Sequence, residues 1–277
     1  MKNVKNIRAT VLVNNSVYLP NLGAEHGWSI LIETGDGSIL FDTGQSDLLF
    51  RNAKILNCDL EKVEKAVLSH GHYDHTGGLS SFLSLNPGTT VFAHPDVFKR
   101  RFSIKPGKLP RDISMPVLDQ KQQSNFYITS QPAPVLDHVF TTGEIPRQFD
   151  IGGINKGLFC DPEGKNTDSV WDDQALVMHT PKGIVVLMGC CHAGVENTLE
   201  TVAGLTGEKK FYMVLGGMHL SEAPEDRLQE TVRCLHRFQV QKVGPAHCTG
   251  WRGREVLARL FSGEVFSCDV GNVIQLN

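Results

Sequence analysis

Short apolar runs rich in β-branched residues recur along the chain, at residues 10–13 (TVLV), 30–32 (ILI), 39–41 (ILF), 90–92 (TVF), 175–178 (ALVM), 184–188 (IVVLM), 211–215 (FYMVL) and 273–274 (VI). Runs of this length and composition predict strands. Gly35-Asp36-Gly37 and Pro181-Lys182-Gly183 stand between neighbouring runs as hairpin turns, so part of the sheet is expected to be antiparallel. Helical stretches alternate with the strands: Leu48, Ala53 and Leu56 sit on one, and Leu228, Val232 and Leu235 form an i, i+4, i+7 stripe on a segment that opens after Pro224. Strands in two groups, interleaved with helices, predict an α/β (α+β) chain whose sheets are covered on their outer faces by helices. Between Pro95 and Trp171 the periodicity weakens and Pro, Gly, Ser and Gln accumulate. Residues 95–171 are therefore expected to form a loop-rich cap, a substrate-loop insertion within one domain spanning residues 1–277.

The 277 residues, 40% of them hydrophobic, suffice for a sizeable core. A net charge of −3 argues against a dedicated nucleic-acid surface and favours a small-molecule substrate. Lys99, Arg100, Arg101, Lys105, Lys108 and Arg111 cluster in the expected cap, either to steer an anionic substrate or as a solvated positive face. Seven cysteines, Cys58, Cys160, Cys190, Cys191, Cys234, Cys248 and Cys268, show no Cys-x-x-Cys pair or framework spacing, which fits a reduced cytoplasm. The opening MKNVKNIRATVLVNN has too short an apolar stretch for a signal peptide, and no segment approaches the roughly 20 apolar residues of a membrane span. The expectation is a cytoplasmic protein without membrane or nucleic-acid partners.

The most specific chemistry lies in SHGHYDHTGG at residues 69–78, directly after the apolar run 65–68. Residues two apart in an extended segment point the same way, so His70 and His72 can grip one ion. Asp74 and His75 lie past the turn, where the chain is expected to enter a helix at residues 76–79, and can aim at a second ion. Imidazole with carboxylate suits zinc or another borderline first-row ion, Mn2+ and Fe2+ included. Further ligands should come from strand ends. His192 follows the run 184–188 in GCCHAG, and His247 follows a short strand near Val243 in PAHCTG. Small residues flank both and let the backbone approach an ion closely.

With these residues the chain resembles the metallo-β-lactamase superfamily, from LIETGDGSILFDTG (31–44) through SHGHYDHTGG to the last histidine. Within it the chain is similar to the branch labelled 7,8-dihydropterin-6-methyl-4-(β-D-ribofuranosyl)aminobenzene-5′-phosphate synthase-like. The matching segments are AEHGWS (24–29), TGEIPR (142–147), DDQAL (172–176), GCCHAG (189–194), GGMHL (216–220) and HCTG (247–250). The resemblance implies a four-layer αββα sandwich with two divalent metal ions at one edge of its sheets. It assigns His70, His72 and His192 to the first ion, and Asp74, His75 and His247 to the second. Most members also carry a bridging aspartate at the end of the strand occupied here by residues 184–188, where this chain has Gly189-Cys190. Cys190 is expected to support the turn beside the ligands, a thiolate ligand being the alternative.

Around that centre, Asp42 is expected to accept a hydrogen bond from a metal-ligating histidine and so fix its tautomer. Asp74 is a candidate to orient the nucleophile, and His219 to touch substrate or donate a proton to a leaving group. Glu25, His26, Arg147 and Asp173 are candidates to line the substrate pocket. The expected activity is metal-dependent hydrolysis of a small anionic metabolite, phosphate-bearing or pterin-like, by a metal-activated hydroxide. The alternatives are transfer chemistry on a pterin and a ribofuranosyl-aminobenzene phosphate at the same site, or a metal-binding sensor without turnover. The residues set aside other superfamily activities: diiron oxygen reductases place a glutamate where His72 stands, secreted β-lactamases need an export signal, and RNA-cleaving relatives carry a long nucleic-acid-binding insertion.

Overall fold

The computed structural model describes residues 7–276. Two seven-stranded sheets carry the fold. The first runs, in spatial order, Val273–Gln275, Arg8–Val13, Ser29–Thr34, Gly37–Phe41, Lys65–Val67, Thr90–Ala93 and Phe126–Ile128. The second runs Glu264–Val265, Lys242–Ala246, Phe211–Gly217, Gly183–Met188, Leu176–Thr180, Val139–Thr141 and Ala133–Leu136. Both expected hairpins form: Thr34 pairs with Gly37, and Thr180 with Gly183.

Side chains alternate faces along a strand. Ile30, Ile32, Ile39 and Phe41 of the first sheet meet Leu176, Met178, Val185 and Leu187 of the second in a shared inner core. Their neighbours Leu31 and Leu40 point outwards, against Leu49, Ala53, Leu79 and Phe82 of the helices Leu48–Ile55 and Leu79–Leu85. Val186 and Val214 pack outwards against the helices Val195–Thr206, Glu225–Arg237 and Gly250–Leu260. The result is the four-layer αββα sandwich, and burial on both faces explains why the strands read as continuous apolar runs. The stripe Leu228, Val232, Leu235 is buried as expected, whereas the first helix turns Leu49 inwards and leaves Leu48 half-buried.

Residues 95–171 divide between two places. Phe126–Ile128, Ala133–Leu136 and Val139–Thr141 extend the two main sheets at their edges. A small sheet, Leu158–Phe159, Phe102–Ser103 and Arg111–Asp112, lies beside the histidine-rich loop at residues 69–78, where His72 bridges Ser114. Among the described residues no helix is long and apolar enough to cross a membrane.

Parallel strands bring their C-terminal ends to one edge of the sandwich, where open α/β sheets bind ligands. Gly37–Phe41 leads to Asp42, Lys65–Val67 to His70, Gly183–Met188 to His192, Phe211–Gly217 to His219 and Lys242–Ala246 to His247. Gly189, just past the strand Gly183–Met188, lies against Ser69, just past Lys65–Val67 of the other sheet: a Cβ there would lie 2.0 Å from Ser69 Oγ. Gly189→Ala is therefore expected to cost about 1–3 kcal/mol by overpacking, measured as a lower urea midpoint at unchanged m-value. A wild-type midpoint in the variant would contradict this contact.

Candidate metal centre

The loop at residues 69–78 is held from below by Asp42, which is fully buried. Its carboxylate accepts from Ser69 N (2.7 Å), Ser69 Oγ (2.7 Å) and His75 Nδ1 (2.6 Å). Ser69 Oγ in turn accepts from His70 Nδ1 at 2.9 Å. His72 is still extended, at φ −80° and ψ 147°, so His70 and His72 share a side as expected. A one-turn helix, Tyr73–Thr76, then starts and swings Asp74 and His75 onwards. This turn begins earlier than expected, and the longer helix starts only at Leu79.

The second sheet supplies the remaining histidines, each fixed by a carboxamide. His192 Nδ1 donates to Asn155 Oδ1 at 2.7 Å, and His247 Nδ1 donates to Asn15 Oδ1 at 2.9 Å. His70, His75, His192 and His247 thus all have Nδ1 engaged, which turns Nε2 towards the cavity. Asp42, Cys191, His219 and His247 hold left-handed backbone, with φ of 58°, 60°, 51° and 46°. Non-glycine residues adopt it at a cost, and such residues cluster at functional sites.

Two groups of atoms that could ligate an ion result. His70 Nε2 faces His72 Nδ1 at 2.9 Å, and the His192 ring lies 4.7 Å from that of His70 and 4.9 Å from that of His72. Asp74 Oδ2 is ringed by His26 Nε2 at 3.1 Å, His247 Nε2 at 3.3 Å and His75 Nε2 at 3.8 Å. His72 Nε2, His192 Nε2 and His219 Nδ1 are buried without a hydrogen-bond partner. Opposed lone pairs such as those of His247 Nε2 and Asp74 Oδ2 repel unless a cation or a proton lies between them. Nitrogen and carboxylate donors in this arrangement suit a divalent first-row ion.

The electrostatics fit most of this donor set, with His75 as the exception. Burial holds His70, His72 and His192 well below the usual imidazole range, hence neutral as ligands must be. For Asp74, burial opposes charge, yet the neighbouring His75, His247 and His26 outweigh it and keep the carboxyl well below the usual range. For His75, burial also opposes charge, but Asp42 and Asp74 raise its pKa to about 9. Burial lowers the pKa of His247.

Of the residues expected to line a pocket, His26 stands at the mouth, with 55% of its side chain exposed and its ring 4.8 Å from that of His247. Glu25 is instead occupied by the backbone of Gln45 and Ser46. Arg147 donates to the carbonyls of Ile145 and Val170 and lies 5.2 Å over Trp171, so it braces a wall. Asp173 is buried and accepts from Ala193 N at 2.8 Å, and burial pushes its pKa up to about 6. The His219 ring lies 4.6 Å from that of His192, tilted by 49°. Cys190 Sγ lies 3.2 Å from His75 Nε2.

The basic cluster of residues 99–111 is not a uniform positive face. Arg101 is 1% exposed and paired with Asp168 and Asp172, and Asp172 accepts from Gly71 N of the metal loop at 2.8 Å. Lys99 and Arg100 pair with Asp96 and Asp112. Val170, β-branched yet at φ 51°, makes the tight turn that aims Asp172 and Asp173. Asn15, Asn155 and the pairing of Arg101 carry no local pattern in sequence.

The Metallo-beta-lactamase superfamily profile matches residues 22–97. The 7,8-dihydropterin-6-methyl-4-(beta-D-ribofuranosyl)-aminobenzene-5'-phosphate synthase of Methanocaldococcus jannaschii is 30% identical, over 98% of this chain and 97% of its own. The solved structure of Tm1679, a metal-dependent hydrolase of the beta-lactamase superfamily, superposes with a TM-score of 0.84 at 29% identity, covering 98% of this chain and 99% of that one. The metallo-beta-lactamase fold protein YhfI from Bacillus subtilis matches at TM-score 0.59 and 15% identity, over 97% and 99% of the two chains, a likeness of fold alone. Sequence along the full length and fold thus agree with the histidine-rich edge: the chain belongs to the metallo-beta-lactamase superfamily, in its dihydropterin-ribofuranosyl-aminobenzene-phosphate-synthase-like branch.

Proposed function

We propose that the protein is a metal-dependent transferase that joins a 7,8-dihydropterin-6-methyl group to a 4-(β-D-ribofuranosyl)aminobenzene 5′-phosphate, the chemistry in the name of its full-length relative. The observation that carries this reading is the convergence of partnerless and opposed imidazole nitrogens at the strand ends of a chain that aligns with that synthase over 98% of its length. Hydrolysis of a phosphate-bearing metabolite is the second reading, favoured by the likeness to Tm1679.

His70, His72 and His192 would hold one divalent ion, and Asp74, His75 and His247 the other, zinc fitting the donor set best. Such ions, when bound, supply Lewis acidity and positive charge beside an anionic substrate. Asp74 orients the reacting group that approaches its Oδ2. His219, whose Nδ1 has no partner, delivers a proton to the leaving group. Arg111, 4.6 Å over the Tyr73 ring of the metal loop, offers a cation at the mouth for the phosphate.

Metal-loaded protein incubated with a 6-methyl-activated dihydropterin and the ribofuranosyl-aminobenzene phosphate should yield the joined product by mass spectrometry. Phosphodiester, phosphomonoester and lactone substrates run in parallel. Turnover of those alone would favour the hydrolase, and no turnover above His72→Ala and His192→Ala with any substrate or metal would favour a sensor.

His219→Gln should lower kcat by about 10²–10⁴-fold with metal content unchanged. A loss of metal in that variant would reassign His219 to the ligands.

Metal uptake should release a proton from His75. Its folded pKa of about 9 lies above the ordinary imidazole value of 6.5. In the metal-free protein the His75 ion pairs therefore stabilise fully below pH 6.5, and the contribution is lost as pH rises through about 9. The ion competes with that proton, so affinity at this position should climb across the same window. Calorimetry in buffers of differing ionisation enthalpy measures the release, and pH-independent affinity would refute it.

A further inference from the structure

We infer that the Cys190 thiolate is a metal ligand shared by the two ion positions, in the place left without a bridging carboxylate. The inference rests on the dinuclear reading above and adds a donor to it. Cys190 follows Gly189 at the end of the strand Gly183–Met188, and its Sγ is 3.2 Å from His75 Nε2. The same sulfur groups within 4.8 Å with ligand atoms of His70 and His75, of His192 and His219, and of His247 and Cys248. It therefore lies among members of both sets of ligands.

Zinc takes sulfur at about 2.3 Å and imidazole nitrogen at about 2.1 Å, so two such donors on one tetrahedral ion stand about 3.6 Å apart and at most about 4.4 Å. The observed 3.2 Å between Cys190 Sγ and His75 Nε2 is compatible with a shared ion. Among the described residues the nearby carboxylates are engaged elsewhere. Asp42 is occupied by Ser69 and His75, Asp172 by Arg101 and Gly71, and Asp173 by Ala193.

The neighbouring cysteine provides a contrast. Cys191 turns its sulfur to Thr198 Oγ1 at 3.4 Å and packs in the apolar cluster beneath the helices. Cys190 instead turns its sulfur to a ring of imidazoles. Gly217 makes room for this arrangement: a Cβ there would lie 3.2 Å from Cys190 Cα and 2.6 Å from Cys248 Sγ. On metal uptake the S–H bond of Cys190 breaks, its proton passes to solvent, and sulfur–metal bonds form without redox change.

Titration of the metal-free full-length protein with Co2+ alone tests this. The wild type should develop a near-ultraviolet thiolate-to-cobalt charge-transfer band, lost in Cys190→Ala and retained in Cys191→Ala. Cobalt binding by Cys190→Ala should weaken by more than the roughly 10–100-fold typical of outer-shell changes. Cys190→Asp guards against misfolding: it should bind two equivalents of Co2+ without the band. Two equivalents bound by the wild type with no band, or a band that survives in Cys190→Ala, overturns the thiolate and leaves the dinuclear reading standing. No cobalt binding by the wild type overturns both.

Discussion

The centre depends on a single buried carboxylate. Asp42 has no solvent contact, and three donors from the loop at residues 69–78 converge on it. A buried charge is costly unless hydrogen-bonded. Here its satisfaction and the placing of the loop are the same set of bonds. Through Ser69 it sets the His70 ring, and directly it sets that of His75. The chain can reach it only because Gly37–Phe41 and Lys65–Val67 run parallel, so that both end at one edge.

Outer residues repeat this logic with less charge. Asn15 and Asn155 present neutral oxygens to His247 and His192, where Asp42 presents an anion to His75. An anionic acceptor makes an imidazole a more basic donor than a neutral amide does. Farther out, the buried Arg101 bonds with Asp168 and Asp172 tie the small sheet to Gly71 of the metal loop. Such an ion cluster is weak support for net stability, but removal of one member would leave a buried charge uncompensated. Its structural effect is to hold the small sheet in register with the histidine-rich loop.

Much of this was legible in sequence because it is local. The core strands are buried on both faces and therefore read as unbroken apolar runs, and the His-x-His-x-Asp-His spacing encodes an extended segment that breaks into a turn. What was not legible arises from tertiary approach. Phe126–Ile128 and Ala133–Leu136 are short edge strands, the second containing Pro134, and their polar surroundings hid them inside an expected cap. Arg101 looked like one member of a basic run until its burial set it apart. Asn15 and Asn155 are 232 and 37 residues from the histidines they fix, a distance that no window along the chain can span.

The left-handed residues at the strand ends bear on durability. Asp42, Cys191, His219 and His247 adopt a conformation that disfavours L-residues by about 1–2 kcal/mol each, and all sit where the two sheets present their functional side chains. A ligand that binds the folded chain and not the unfolded one stabilises it by mass action. The durability of a chain strained in this way would therefore rise with the free concentration of any ion its strand ends bind.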